Sequence, residues 1–160
     1  MFGSLSTGEC LMMPSHAGSP SPGPARLTIE TPAPGVRLLG VNGVLDSGAG
    51  ARLLRLIDSQ LLLARGGHKR VVGVIVDVSQ LEALERGGSQ AIEHARYACT
   101  RRNIEFAIAG HPSGLTAASV SARTRLGQVR SFPTVDAALR SVARDSVADR
   151  HEAAAHLGTN

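Results

Sequence analysis

The sequence of 160 residues has no Trp, one Tyr and three Phe. Its core must therefore be aliphatic, and little material remains for the aromatic platforms on which RNA or single-strand binders stack bases. Basic residues outnumber acidic ones only 17 to 13, a formal charge of +4. They are scattered, with Arg101-Arg102 and His68-Lys69-Arg70 as the short clusters, so no nucleic-acid partner is expected. No apolar run approaches the roughly 18 to 20 residues that span a bilayer, and the first residues lack the basic and apolar stretches of an export signal. The expectation is a cytoplasmic protein with no membrane partner. Two distant cysteines, Cys10 and Cys99, supply neither a disulfide framework nor the paired spacing of a zinc site, so neither metal nor cofactor is implied. No glycine-rich stretch ends in Lys-Ser or Lys-Thr, which removes the usual phosphate-cradling loop.

What is present suits one domain, since 42% hydrophobic residues suffice for a single compact core. Residues 1–24 are dense in Gly, Ser and Pro and read as a disordered tail, the domain spans 25–144, and 145–160 form a C-terminal tail. Arg26 to Glu30 alternates like a half-buried strand, Pro32 to Gly35 turns the chain, and Val36 to Val41 begins a second strand. Leu53, Leu54, Ile57, Leu61 and Ala64 repeat at helical spacing, which predicts a helix from Ser47 to Arg65, capped by Asp46 or Ser47 and ended by Gly66-Gly67. Val71 to Val76 is a β-branched run closed by Asp77, the composition of a central strand covered on both faces.

A second helix is predicted from about Gly88 to Arg102, with Ala91, Ile92, Ala95, Ala98 and Cys99 on one face, and Phe106 to Ala109 is a short strand. Ser113 is placed to cap a third helix through about Leu126, Phe132 lies in a brief strand or turn, and Thr134 caps a last helix through about Arg144. The order β-β-α-β-α-β-α-β-α predicts an α/β sandwich with about four helices, whose sheet is mostly parallel apart from its opening antiparallel hairpin.

Few residues offer catalytic chemistry. Gly110-His-Pro-Ser-Gly114 has the outline of a nucleophile elbow, but its serine comes one position late and Pro112 disturbs the turn, which leaves His111 a loop residue. Cys99 shares a helical face with core residues and reads as packing, and Cys10 sits beside Glu9, which discourages its thiolate. No nucleophile, base and oxyanion donor fall together, so an enzyme is not expected.

Two stretches differ in kind: Gly43-Val-Leu-Asp46 at a strand-to-helix junction, and Asp77-Val-Ser-Gln-Leu-Glu-Ala-Leu-Glu-Arg-Gly-Gly88 leading into the second helix. With the element order, they resemble the STAS domain of anti-sigma factor antagonists, whose sequences carry Gly-x-Leu-Asp and then Asp-Leu-Ser followed by Asp-Ser-Ser-Gly. The resemblance covers roughly Arg26 to Val142. It places the first motif on Gly43, Leu45 and Asp46, the second on Asp77, Val78 and Ser79, and the third on Glu85, Arg86, Gly87 and Gly88.

The resemblance implies a STAS-like fold and a partner that is an anti-sigma factor of the serine-kinase type. That partner would be bound by a convex patch including Asp46, Glu85, Arg86, Gly87, Gly88 and Ser89, with the loop from Asp77 to Gly88 as its body. The serine phosphorylated in the family falls at Arg86 or Gly87, where this chain has no hydroxyl. Ser89 and Ser79 are the substitutes, each also suited to a cap or turn. Asp46 equally suits a helix cap, Asp77 a turn anchor, and Gly87-Gly88 a tight loop. The alternatives are a sensor on the same scaffold that binds a small ligand or nucleotide, and a different regulatory protein.

Overall fold

The computed structural model describes residues 25–65, 70–111 and 118–145. The opening hairpin is β1 (Arg26–Ala33) and β2 (Val36–Leu45), antiparallel and joined through Gly35 at φ +80, a left-handed value that glycine adopts without strain. There follow α1 (Ser47–Arg65), β3 (Gly73–Leu84), α2 (Arg86–Thr100), β4 (Glu105–Ala109), α3 (Val120–Gly127), β5 (Arg130–Phe132) and a closing helix, α4, over 135–145. The five strands lie in chain order, β1-β2-β3-β4-β5, and every pair after the first is parallel. The α/β sandwich and mixed sheet expected from the element order are thus present.

A right-handed crossover that always advances the sheet in one direction must keep its helices on one face. That is where α1, α2 and α3 pack, over Leu39, Val41, Val74, Val76, Phe106 and Ile108. The opposite face, Val36, Ile75, Ala107 and Ala109, is left to α4, which buries Ala138 and Val142 on it. Gly73 permits the close approach, because a Cβ there would overlap the Val142 side chain. β3 is central and covered on both faces, as its composition predicts. Cys99 is fully buried, and burial pushes its thiol from the ordinary 9.0 up to about 12, against a lowering by Arg102 and with a further rise from Asp58.

Several boundaries differ from the sequence reading. β3 begins at Gly73 and runs to Leu84, so most of the stretch expected as a loop is strand. It continues because β2 also continues: Asn42 pairs with Gln80, Val44 with Ala83 and Leu45 with Leu84, past two register shifts. α2 starts at Arg86, two residues before the expected Gly88. Ser119, whose hydroxyl oxygen accepts from the Ala122 amide at 3.2 Å, caps α3, while the cap expected at Ser113 lies outside the described residues. Thr134 caps α4 as expected, accepting from the Ala137 amide at 3.2 Å. Asp145, assigned to the tail, still belongs to α4 and pairs with Arg130 at 2.6 Å. The tails over 1–24 and 146–160, and Gly66-Gly67, lie outside the described residues. Among the described residues no helix is long and apolar enough to cross a membrane.

Candidate functional site

At the carboxyl ends of β2 and β3 the chain enters two helices side by side. Asp46 follows β2, and its Oδ1 accepts from the Ala49 amide at 2.7 Å while its carbonyl accepts from the Gly50 amide at 2.9 Å. It is therefore the N-cap of α1, satisfying donors that the first turn leaves free. Glu85 holds the equivalent place before α2, in extended backbone with φ −88 and ψ 168, but its carboxylate makes no capping hydrogen bond. Its amide donates to the Leu45 carbonyl at 3.1 Å, which ties the entrance of α2 to the exit of β2.

The two helix starts meet backbone to backbone. A Cβ on Gly88 would overlap the carbonyl of Leu45, and one on Gly87 would stand 2.6 Å from Ser47 Cβ and 2.9 Å from the Ser47 amide nitrogen. From the other side, a Cβ on Gly50 would lie 2.8 Å from Ala91 Cβ. Gly87 and Gly88 thus belong to the first turn of α2, not to a tight loop, and they are glycine because Ser47 and Leu45 occupy the space of a side chain. Gly50 was missed by the sequence reading, and Ser47 was read only as a cap, although the small-residue run Gly48-Ala49-Gly50 near Gly87-Gly88 is the signal that could have found this contact.

The residues singled out from sequence divide accordingly. Glu85 and Arg86 are exposed, Asp46 is half-buried, Ser47 is exposed beside Gly87, and all border one surface. Among the described residues neither Glu85 nor Arg86 has an ion pair or side-chain hydrogen bond. Gly88 and Ser89 are buried, Ser89 to 1% exposure, and the Ser89 hydroxyl donates to the Arg86 carbonyl at 2.9 Å. The expectation that Ser89 meets a partner, or takes a phosphate in place of the missing serine, is corrected by that burial. Leu45 is fully buried core. Gly43, buried at φ +95, serves the irregular register beside it.

Asp77 and Ser79 stand at the other register shift, where Gly40 to Asn42 on β2 spans Asp77 to Gln80 on β3. Asp77 Oδ1 accepts from the Ser79 amide at 2.9 Å and from the Ser79 hydroxyl. The pair pins an Asx-type kink that lets β3 continue beyond β4. Gly110, at φ +97, closes over Ser79, and a Cβ there would overlap the serine hydroxyl. A phosphate on Ser79 would set two negative groups together and break that hydrogen bond.

α2 opens with a cation where its own dipole is positive. Arg86 is the first helical residue, and no acidic residue lies in the first turn, an arrangement costing the helix about 0.3 to 1 kcal/mol against an acidic start. The site therefore combines a glycine-fixed frame with two exposed charges, Arg86 set against the helix dipole and Glu85 at the N-cap in favour of it. No group of His, Cys, Asp and Glu among the described residues is placed to hold a metal ion.

No family model and no curated protein matches the chain. Solved structures do match. An anti-sigma factor antagonist from Mycobacterium paratuberculosis is 17% identical with a TM-score of 0.61, over 75% of this chain and 95% of that one. The anti-sigma factor antagonist SpoIIAA, in its unphosphorylated form, is 10% identical with a TM-score of 0.56, over 74% of this chain and 98% of that one. A sulfate transporter family protein from Wolinella succinogenes is 18% identical with a TM-score of 0.57, over 71% of this chain and 89% of that one. Identities this low show a shared fold, the STAS-like fold, and that fold occurs in antagonists and in a transporter-family protein alike. Role must therefore be argued from the site.

Proposed function

We propose that this chain is a cytoplasmic regulatory domain that binds an anti-sigma factor of the kinase type through the surface formed by the starts of α1 and α2, and so relieves inhibition of a sigma factor. The observation that carries this reading is the Glu85-Arg86 step, two exposed charges without partners among the described residues on a frame held by Gly87, Gly88 and Ser47. Exposed charges without partners, one of them set against the dipole of its own helix, suit recognition by a complementary surface when an immobile backbone holds them. The structural likeness to two anti-sigma factor antagonists supports the class of partner.

The reading includes an altered switch. In a phosphorylated antagonist the added phosphate brings roughly −1.5 to −2 charge to a helix start and opposes docking. Here Arg86 offers no hydroxyl, and Gly87 has no space for a side chain. Binding is therefore independent of phosphorylation at this position, and the domain acts without catalysing a reaction.

The test is native and intact-mass spectrometry of the full chain with ATP and the kinase-type anti-sigma factors of its own genome. A complex without added phosphate is the expected result, with a footprint of about 800 Å² per partner. Arg86→Glu separates binding from folding, because it improves the helix start yet lowers affinity by about tenfold or more. Unchanged affinity in Arg86→Glu and in Glu85→Arg, or a stoichiometric phosphate on the wild-type chain, overturns the proposal.

A further inference from the structure

Beyond Asp77, which faces Ala109, β3 has lost its neighbour β4 but continues to Leu84. The short helix α3 bridges part of this gap, with Ala122 as its buried residue. Between α2, α3 and the ends of β4 and β5 a cavity of about 240 Å³ remains. Its walls are the aliphatic side chains of Val78, Leu81, Leu84, Ile92, Ile108 and Leu126. It exceeds the engineered apolar cavity of about 150 Å³ that takes up benzene, and at about 30 Å³ per water-sized group it holds roughly eight heavy atoms.

The lining residues exposed to solvent, Arg123, Gly127 and Ser131, mark the mouth. Among the described residues no acidic one lines it. The Arg123 side chain has no hydrogen bond or ion pair among the described residues, whereas Arg125, two residues on, is held by Glu93 at 3.0 Å. An apolar chamber with one available cation at its entrance selects a ligand with a short hydrocarbon body and one anionic end. A nucleotide is a poor match, since one guanidinium and one hydroxyl leave most of its phosphates and base edges without partners.

We propose that this cavity binds a small amphipathic carboxylate, its hydrocarbon tail among the six aliphatic side chains and its carboxylate on Arg123. Neither Glu85 nor Arg86 lines the cavity, and the inference does not rest on any protein partner.

Titration of the full chain with sodium octanoate, followed by amide NMR and calorimetry, tests it. Saturable shifts at Leu81, Ile92 and Leu126 are expected, with octanol binding about tenfold more weakly because it lacks the charge. Arg123→Gln, a surface change that leaves the core intact, brings octanoate down to the level of octanol, and Leu126→Trp fills the chamber and removes both. The proposal is overturned if no saturable shift appears at millimolar octanoate, or if Arg123→Gln keeps the preference for octanoate. Binding by a folded Leu126→Trp variant at wild-type strength also overturns it, as does ATP occupying these residues in preference to octanoate.

Discussion

The two flanks of α2 are built on opposite principles. Toward α1 and β2 the packing is so close that Gly87 and Gly88 have no room for one methyl group, and most of the atoms they meet belong to the backbones of Ser47 and Leu45. Toward α3 there is unfilled apolar space of about 240 Å³, bridged at the surface by the Arg125–Glu93 ion pair. Backbone contacts cannot rotate away, so the first flank fixes the position of the charges at the start of α2. The second flank relies on a short helix and part-exposed side chains, and there a ligand can enter without disturbing the frame. Rigid presentation and ligand access are thus assigned to different sides of one helix.

Gly88→Ala breaks the tight flank most severely. Alanine favours a helix by up to about 1 kcal/mol over glycine, yet overlap with the Leu45 carbonyl reverses the sign, and a net loss of about 3 kcal/mol is expected in denaturant unfolding. Gly87→Ser, which restores a hydroxyl at a position matched to the phosphorylated serine, costs about 2 kcal/mol because Ser47 must move. If either variant unfolds at the wild-type midpoint, the contact of α2 with β2 (Gly88) or with α1 (Gly87) is looser than described.

The next effect is a pH dependence on the same flank. The Cys99 thiol is raised from 9.0 to about 12 by burial. Above pH 9 the unfolded chain therefore releases a proton that the folded chain retains. Stability is fully present below that pH and declines by up to about 1.4 kcal/mol per pH unit as pH rises toward the folded value. Comparing the wild type with Cys99→Ala between pH 8 and roughly pH 10.5 isolates this slope, and identical slopes would mean that Cys99 meets water.

The smallest effect belongs to the loose flank. The Arg125 and Glu93 side chains are 32% and 42% exposed, so Arg125→Ala is expected to cost about 0.5 kcal/mol, with the difference fading in high salt. A loss comparable to that of Gly88→Ala would mean that the ion pair, not the glycine contact, positions α2.

Most of the architecture was legible because periodicity and caps are local properties. Asp46 and Thr134 read as caps and are caps, and the β-branched run through Val76 read as the central strand and is one. The far half of β3 was expected as loop because the resemblance places a loop from Asp77 to Gly88 there, and Asp77 and Ser79 suit a turn. They do form a kink, but pairing with the end of β2 carries the strand through it. Ser89 looked available as a hydroxyl beside a motif, and only the packing of α2 showed it turned inward. The cavity left no mark in the sequence, since an aliphatic residue that fills space and one that borders a void are spelled alike.

The sequence by itself determined the order of elements, the mixed sheet and the aliphatic core, because hydrophobic period, glycine and capping residues act over a few neighbours. Right-handed crossovers then placed three helices on one face. Tertiary structure alone decided which glycines are sites of contact, which serine is buried, and where, among the described residues, an apolar pocket opens between α2 and α3. Those outcomes depend on distances between segments as far apart as Ser47 and Gly87, or Leu81 and Arg123, which no local pattern encodes.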